Sequence, residues 1–282
     1  MVLASRDDLG TNGKIAVVTA GARGIGRAAA LLLAHWGACV TAVDLDAEAL
    51  AGVAAEAAEA GGQVEPVAAD VCDEAAVARL FAGVAERRGR VDILVNAVGG
   101  GKPAALDAIG NAEWDRMFSF NVKSAFFCAR EAARRMPAGG RIVNVASLAG
   151  VTSSVLQGAH YSSSKAAVIG LTRHLARELG PRGIGVNAIA PGTTLTERIR
   201  GQMTPEKHQA LVERIPLGRL ATPEDQAGVI LFLVSSLSVY VTGVTIDVSG
   251  GFLLTRLLGR LCRPLKPSPG LRLCGSPHPG TV

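Results

Sequence analysis

Tyr161 and Lys165 stand four residues apart in the run Tyr161-Ser162-Ser163-Ser164-Lys165, and Ser147 lies fourteen residues upstream. On a helix, positions i and i+4 project from one face, so this spacing sets an ammonium one turn from a phenol. A free phenol titrates near pH ~10, too high for a base at neutral pH, and a neighbouring cation favours the phenolate. The pairing makes a tyrosine usable for proton transfer, although Tyr-x-x-x-Lys also occurs on ordinary helices. Its weight depends on what accompanies it.

What accompanies it is a glycine turn, Thr19-Ala20-Gly21-Ala22-Arg23-Gly24-Ile25-Gly26, between an apolar run and a helical one. Gly24-Ile25-Gly26-Arg27-Ala28-Ala29 fits the form G-x-G-x-x-A, in which glycines allow a tight turn and close approach of a pyrophosphate to the free N–H groups of a helix start. Asp44 ends the second apolar run, twenty residues after Gly24. A carboxylate there can accept hydrogen bonds from an adenosine ribose and would repel a 2′-phosphate. NAD is therefore favoured over NADP, with Arg23 pulling mildly the other way because a cation in the turn can serve a phosphate. Without a ligand, the same stretch is a tight β-α turn and Asp44 a solvated acid. Turn, spacing and tyrosine together point to hydride chemistry on a nicotinamide cofactor.

These residues need a scaffold, and the chain alternates apolar β-rich runs with alanine-rich helical ones. Strands are predicted at 15–19, 38–43, 64–68, 92–95, 141–145, 184–189 and 244–248, and helices near 24–36, 46–60, 74–87, 111–135, 160–179 and 223–234. Continuous apolar runs such as Ile15-Ala16-Val17-Val18 and Ile93-Leu94-Val95 suit strands buried on both faces. The repeated β-α order calls for a parallel, doubly wound sheet, and right-handed crossovers put helices on both faces. Ser147 follows the strand 141–145, at the carboxyl edge where such sheets bind ligands.

At 282 residues, one domain plus a tail is expected. Apolar residues make up 49% but aromatic residues only 4%, an Ala/Val/Leu/Gly interior suited to close helix-on-sheet packing. The net charge of +5 comes entirely from residues 252–282, which carry Arg256, Arg260, Arg263, Lys266 and Arg272 and no acid; residues 1–251 hold 24 basic and 24 acidic side chains. A neutral body argues against nucleic acid as a partner. The five cysteines lack Cys-x-x-Cys spacing and the five histidines make no metal-like pair, so no metal is expected and the thiols suit a cytoplasmic location. Residues 227–246 form an uncharged run as long as a membrane span, but serines, threonines and Gly243 interrupt it. It reads instead as a helix end, a turn and a buried strand.

Over residues 13–251 the chain resembles the classical short-chain dehydrogenase/reductases. The matching pieces are the turn at 19–26, Asp70-Val71, Asn96-Ala97-Val98-Gly99, Asn121, Ser147, Tyr161-x-x-x-Lys165, Val186-Asn187 with Pro191-Gly192, Thr196, and Ser249-Gly250-Gly251. The resemblance implies a single Rossmann domain and an NAD(H)-dependent oxidoreductase acting on a secondary alcohol or ketone. Tyr161 would be the general acid/base. Lys165 would bind the nicotinamide ribose and lower the tyrosine pKa, Ser147 would orient the substrate carbonyl, and Asn121 would hold the water of a proton relay. Gly21, Arg23, Gly24, Ile25, Gly26 and Asp44 would hold the cofactor's adenosine and diphosphate. Asp70 and Val71 would touch the adenine, Asn96 and Gly99 the adenosine ribose region, and Thr194 and Thr196 the nicotinamide amide after the Pro191-Gly192 turn. A homotetramer or homodimer is implied, with helices 111–135 and 160–179 paired across a twofold and small residues such as Ala125, Ala132, Ala166 and Ala167 allowing close approach.

The pattern departs from the family in three places. Ala20 stands where glycine is usual, one amide is replaced in Asn96-Ala97-Val98-Gly99, and the interval from Ser147 to Tyr161 is about one residue longer. Specificity is assigned to loops 99–106, 148–160 and 193–219, near which Lys102, Arg198 and Arg200 bring cations and His160 precedes the tyrosine. Residues 1–12 read as an N-terminal arm and 252–282 as a mobile, proline-rich tail dispensable for chemistry. The alternative reading is an NAD-binding sensor or scaffold without turnover.

Overall fold

The computed structural model describes residues 9–154, 157–201 and 203–254. Its centre is one sheet of seven strands: β1 (Ile15–Thr19), β2 (Cys39–Asp44), β3 (Gln63–Ala68), β4 (Ile93–Asn96), β5 (Arg141–Val145), β6 (Gly185–Pro191) and β7 (Thr245–Val248). All neighbours pair in parallel in the order β3-β2-β1-β4-β5-β6-β7. The strand order therefore reverses between β1 and β4, which opens a crevice at their carboxyl ends.

Alternation along each strand divides the interior into two cores. Ala16, Val18, Val40, Ala42, Val143 and Val145 face one side, where they pack with Leu33 of α1 (Gly24–His35), Leu50 of α2 (Ala47–Glu59) and Ile230 and Leu233 of the last helix, Pro223–Val234. Ile15, Val17, Leu94, Ile142 and Val186 face the other, against Phe81 and Val84 of α3 (Glu74–Arg88), Cys128 and Ala132 of the helix Ser124–Arg135, and Leu175 and Leu179 of the helix Ala159–Leu179. The period of two in a strand thus supplies both faces from one apolar run. The outer strands behave differently. β3 and β7 are partly exposed along their length, and Pro66 is tolerated because β3 has one open edge. The strand expected to be buried at 244–248 is therefore an edge strand.

The expected helix 111–135 is three segments: α4 (Asn111–Phe118), a π turn over Ser119–Lys123, and α5 (Ser124–Arg135). A π turn inserts one residue into the helical ladder without changing the apolar composition, and such turns gather at functional sites. Asn121 lies inside it. Next come α6 (Leu148–Val151), α7 (Ala159–Leu179), α8 (Glu197–Arg200), α9 (Pro205–Val212) and α10 (Pro223–Val234). Three of these, α6, α8 and α9, fall within segments read as loops; α8 and α9 start at the N-caps Thr196 and Thr204, whose hydroxyls accept backbone N–H bonds.

The domain limits move by a few residues. Leu9 and Thr11 are buried, and the Thr11 hydroxyl donates to the Trp36 carbonyl at 3.0 Å, so residues 9–12 pack on the domain. At the other end Phe252 joins the apolar cluster of Leu211, Ile215 and Leu220, with the Arg214 guanidinium 4.6 Å above its ring. The expected mobility of the tail concerns residues that, from 255 onward, lie outside the described ones. The uncharged run 227–246 resolves into the end of α10, a 3-10 turn at Ser236–Ser238 and the start of β7. Among the described residues, no helix is long and apolar enough to cross a membrane.

Candidate active site

A cavity of about 630 Å³ opens along the carboxyl edge of the sheet. One part is lined by Ala20, Arg23, Gly24, Ile25 and Gly26 at the start of α1. This helix start has no side-chain cap and no acidic residue in its first turn. Its amides therefore remain available to an anion. The close packing needs glycine: a Cβ on Gly26 would lie 2.1 Å from the Ala20 carbonyl oxygen. Ala20 itself holds φ at +52°, the left-handed region that glycine usually fills. Gly21 sits under Ala42 and donates its N–H to the Val43 carbonyl, so it shapes the turn without lining the cavity.

Asp44 is fixed at the end of β2, where its carboxylate accepts the N–H groups of Ala22 at 3.2 Å and Leu45 at 2.8 Å. The neighbouring Arg23 guanidinium pairs with Asp46 at 2.5 Å. The cation in the turn is thus already neutralised by a carboxylate.

The other part of the cavity holds the candidate catalytic side chains. Ser147 caps α6 immediately after β5; its hydroxyl accepts the Ala149 N–H at 3.1 Å and hydrogen-bonds the Tyr161 hydroxyl. Tyr161 and Lys165 both sit in the first two turns of α7. Burial pushes the Tyr161 pKa up, while the Ser147 hydrogen bond and the positive charge of Arg198 pull it back. Burial pushes Lys165 down to about 8, and its Nζ donates to the Val145 carbonyl at 2.8 Å. The positive charge that lowers this phenol is that of Arg198; Lys165, one helical turn from Tyr161, lies in the same cavity.

Gly99, Gly100 and Gly101 run past these groups as a strap. A Cβ on Gly99 would lie 2.4 Å from Lys165 Nζ, one on Gly100 3.0 Å from Arg198 Nη1, and one on Gly101 2.7 Å from the Tyr161 ring. Asn121 clamps the strap: its Oδ1 accepts the Gly100 N–H at 3.0 Å, and its Nδ2 donates to the carbonyls of Gly100 and Met117, both at 3.1 Å. Asn121 thereby ties the π turn to the strap.

The family model described as enoyl-(acyl carrier protein) reductase matches residues 19–253. The chain is 39% identical over 248 residues to the 3-oxoacyl-(acyl-carrier-protein) reductase of Thermotoga maritima, covering 86% of this chain and 98% of that one. It belongs to the short-chain dehydrogenase/reductases. The 7alpha-hydroxysteroid dehydrogenase of Escherichia coli K12 is 36% identical over 247 residues, 87% of this chain and 96% of the relative. A solved 7 alpha-hydroxysteroid dehydrogenase complexed with NADH and 7-oxo glycochenodeoxycholic acid superposes with a TM-score of 0.84 at 36% identity, over 88% of this chain and 98% of that one.

Within this short-chain dehydrogenase/reductase, the cavity gathers Arg23, Gly24, Ile25, Gly26, Gly99, Ser147, Tyr161, Lys165, Pro191, Gly192, Thr194 and Thr196. Asp44, Asp70, Val71, Asn96 and Asn121 do not line it. Val71 is part of the second core, and Asp70 accepts the Cys72 N–H at 2.8 Å. Asn96 donates through Nδ2 to Asn144 at 2.9 Å and to the Ala125 carbonyl at 3.2 Å, a buried structural bond rather than a side-chain contact with the cavity. His160, which precedes Tyr161, is buried against Glu113 of α4, with Nε2 3.3 Å from Oε1, and does not line the cavity. Lys102 and Arg200 stay exposed outside it, whereas Arg198 and Gln157 line it. Sequence reading missed Gln157, and also Gln226, which bonds Thr194 Oγ1 at 3.3 Å and the Val248 carbonyl at 3.1 Å and so fixes the loop after β6. Only the polarity of Gln226 within an apolar helical run could have signalled it.

Proposed function

We propose that this enzyme uses NAD(H) to interconvert a secondary alcohol and a ketone, with Tyr161 as the general acid/base. The observation that carries the reading is the hydrogen-bonded Ser147–Tyr161 pair beside buried Lys165, in the same cavity as an uncapped helix start and its glycines. The amides of Gly24, Ile25 and Gly26 would hold the cofactor diphosphate, Lys165 the nicotinamide ribose, and Thr194 and Thr196 the carboxamide. When bound, the cofactor supplies or accepts the hydride. In the reducing direction Tyr161 gives its proton to the forming alkoxide, and Ser147, fixed by the Ala149 amide, donates to the same oxygen. In the oxidising direction Tyr161 accepts the alcohol proton.

The choice of NAD is supported by Asp44, which the turn amides hold at the end of β2, and by Asp46, which neutralises Arg23. Two like charges ~4 Å apart repel by up to ~4 kcal/mol at an effective dielectric of ~20, and solvent screening leaves roughly one to two decades of discrimination against a 2′-phosphate. The test is kcat/KM with NADH and NADPH on a panel of ketones, in wild type and Asp44→Ala. A wild-type preference for NADPH sinks the NAD assignment, and silence on every ketone favours the non-catalytic sensor.

A cytoplasmic homo-oligomer is part of the same proposal. Cys39, Cys72 and Cys128 are free thiols. Trp114 of α4 and Phe126 of α5 are 38% and 40% exposed, an apolar surface on the helices proposed to pair. Ala125 and Ala132 are buried within the protomer, so they do not form that contact. Light scattering that finds only monomer at micromolar concentration overturns this.

A further inference from the structure

Two polar side chains at the reacting end of the cavity neither donate nor accept the transferred hydride or proton. Arg198 of α8 places its guanidinium against Gly100 and forms no ion pair among the described residues. Glu197 also lines the cavity, next to Arg198 in α8, but it has no ion pair with Arg198 among the described residues, and Arg198 is the one of the two that acts on the Tyr161 phenol. Gln157 rests over Gly101, where a Cβ would lie 3.0 Å from its Oε1, and that buried oxygen has no hydrogen-bond partner. A buried amide left unpaired is costly, and a substrate group that satisfies it gains accordingly. Both side chains flank Tyr161, whose ring occupies the space beside Gly101. Consecutive Cα atoms are ~3.8 Å apart. The cation therefore sits one residue along the strap from the catalytic ring.

We propose that Arg198 and Gln157 are the anchor of an anionic substrate: the carbonyl held at Tyr161 and Ser147 belongs to a molecule with a carboxylate or phosphate a few bonds away, gripped by Arg198, while Gln157 bonds a further polar group. This rests on the oxidoreductase reading and narrows its substrate class. A planar guanidinium suits oxyanions because its fork of donors matches two acceptor oxygens at once. The paired glycines leave room for both side-chain heads, since a β-carbon at 100 or 101 would lie 3.0 Å from Arg198 Nη1 or Gln157 Oε1 and press on it.

The experiment compares kcat/KM for a short keto acid with its methyl ester, and for a keto phosphate with the corresponding hydroxyketone, in the full-length wild type, Arg198→Met and Gln157→Met. In wild type at least one anion is expected to exceed its neutral partner by about 10- to 100-fold, through KM. Whichever pair shows the larger ratio separates carboxylate from phosphate. Arg198→Met collapses that ratio toward one, even though turnover of the neutral partner also falls because Tyr161 loses a nearby positive charge. Gln157→Met lowers kcat/KM for the preferred anion by about tenfold. A wild-type preference for neutral ketones, or an anion-to-neutral ratio that survives Arg198→Met, overturns the proposal; a tenfold rise in the cofactor Kd with the ratio intact assigns Arg198 to the cofactor instead. If no ketone is turned over, the oxidoreductase reading itself fails. Thermal protection by the keto acid or the keto phosphate, lost in Arg198→Met, then still supports the anion site, and absence of protection by both removes it.

Discussion

Two glycine-rich stretches border the same cavity, and their glycines serve opposite purposes. In the turn at 19–26, glycine admits backbone: a β-carbon at Gly26 would meet the Ala20 carbonyl at 2.1 Å, and one at Gly21 would meet Ala42 at 2.8 Å. In the strap at 99–101, glycine admits side chains, the heads of Lys165 and Arg198 and the ring of Tyr161. The turn shapes a surface that a diphosphate can approach. The strap lets groups from α7 and α8 converge on one point. Identical residue types thus carry a recognition role in one place and a positioning role in the other, and substitution separates them.

The largest expected effect lies with the group the strap positions. Tyr161→Phe keeps the ring against Gly101 but removes the transferable proton, which typically costs ~10²–10⁴-fold in turnover. Cofactor binding, measured by fluorescence titration, stays near wild type. A variant that retains more than a tenth of the activity shows that Tyr161 is not the acid/base.

Next come the glycines themselves. Gly26→Ala drives a β-carbon into backbone that cannot yield without moving β1 or α1, and overpacking of this kind costs about 1–3 kcal/mol or more. Weakened cofactor binding and a lower Tm are expected together. Gly101→Ala instead meets the Tyr161 ring and the Gln157 amide, which can shift at the expense of alignment. It should reduce kcat by roughly tenfold or more, since misplacement by ~1 Å can cost ~10²-fold, while cofactor Kd changes little. If both variants lose cofactor affinity alike, the contrast between the two stretches is wrong.

Much of the fold was legible in the sequence. The alternation of apolar runs and alanine-rich segments predicted every strand to within about two residues, because a parallel sheet covered on both faces demands continuous apolar strands. The Tyr161–Lys165 pair was legible because spacing on a helix is a geometric statement, and Ser147 because it follows a strand at the carboxyl edge of the sheet. The π turn at Ser119–Lys123 was not, since one inserted residue shifts the helical phase without altering its composition. Nor were the short helices α8 and α9, whose few residues give periodicity too little length. The strap was in plain view as three consecutive glycines, but its meaning depends on which side chains return to it from residues 157, 161, 165 and 198. Those contacts are long-range, and no local pattern records them. His160 shows the converse: adjacent to Tyr161 in sequence, it leaves α7 about 100° around the helix and meets Glu113 instead of the cavity.

A smaller effect concerns pH. Burial raises Tyr161 and lowers Lys165 to about 8, so at neutral pH the phenol is protonated and ready to donate. Ketone reduction uses that form and should stay flat across neutrality, then decline as pH rises. Alcohol oxidation needs the phenolate and should rise with pH over the same range, with apparent values belonging to the coupled groups rather than to one residue. Profiles of kcat/KM in both directions check this, and an oxidation rate that falls with rising pH through neutrality contradicts the assignment.

The smallest effect tests the turn where it departs from its family. Ala20 holds φ at +52°, a conformation that costs an L-residue roughly 1–2 kcal/mol relative to glycine. Ala20 lines the cavity, and its carbonyl oxygen lies where a β-carbon on Gly26 would go. Ala20→Gly relieves the strain but adds freedom to the unfolded chain, which takes back about 0.4–1 kcal/mol. The difference leaves a net stabilisation of about 0.5–1 kcal/mol, a Tm rise of roughly 1–4 °C for a domain of this size. Cofactor Kd should move less than twofold, because the amides of Gly24 to Gly26 keep their places. An unchanged or lower Tm would mean that the turn is held in its left-handed bend without strain, and that alanine at this position is as well accommodated as the glycine it replaces.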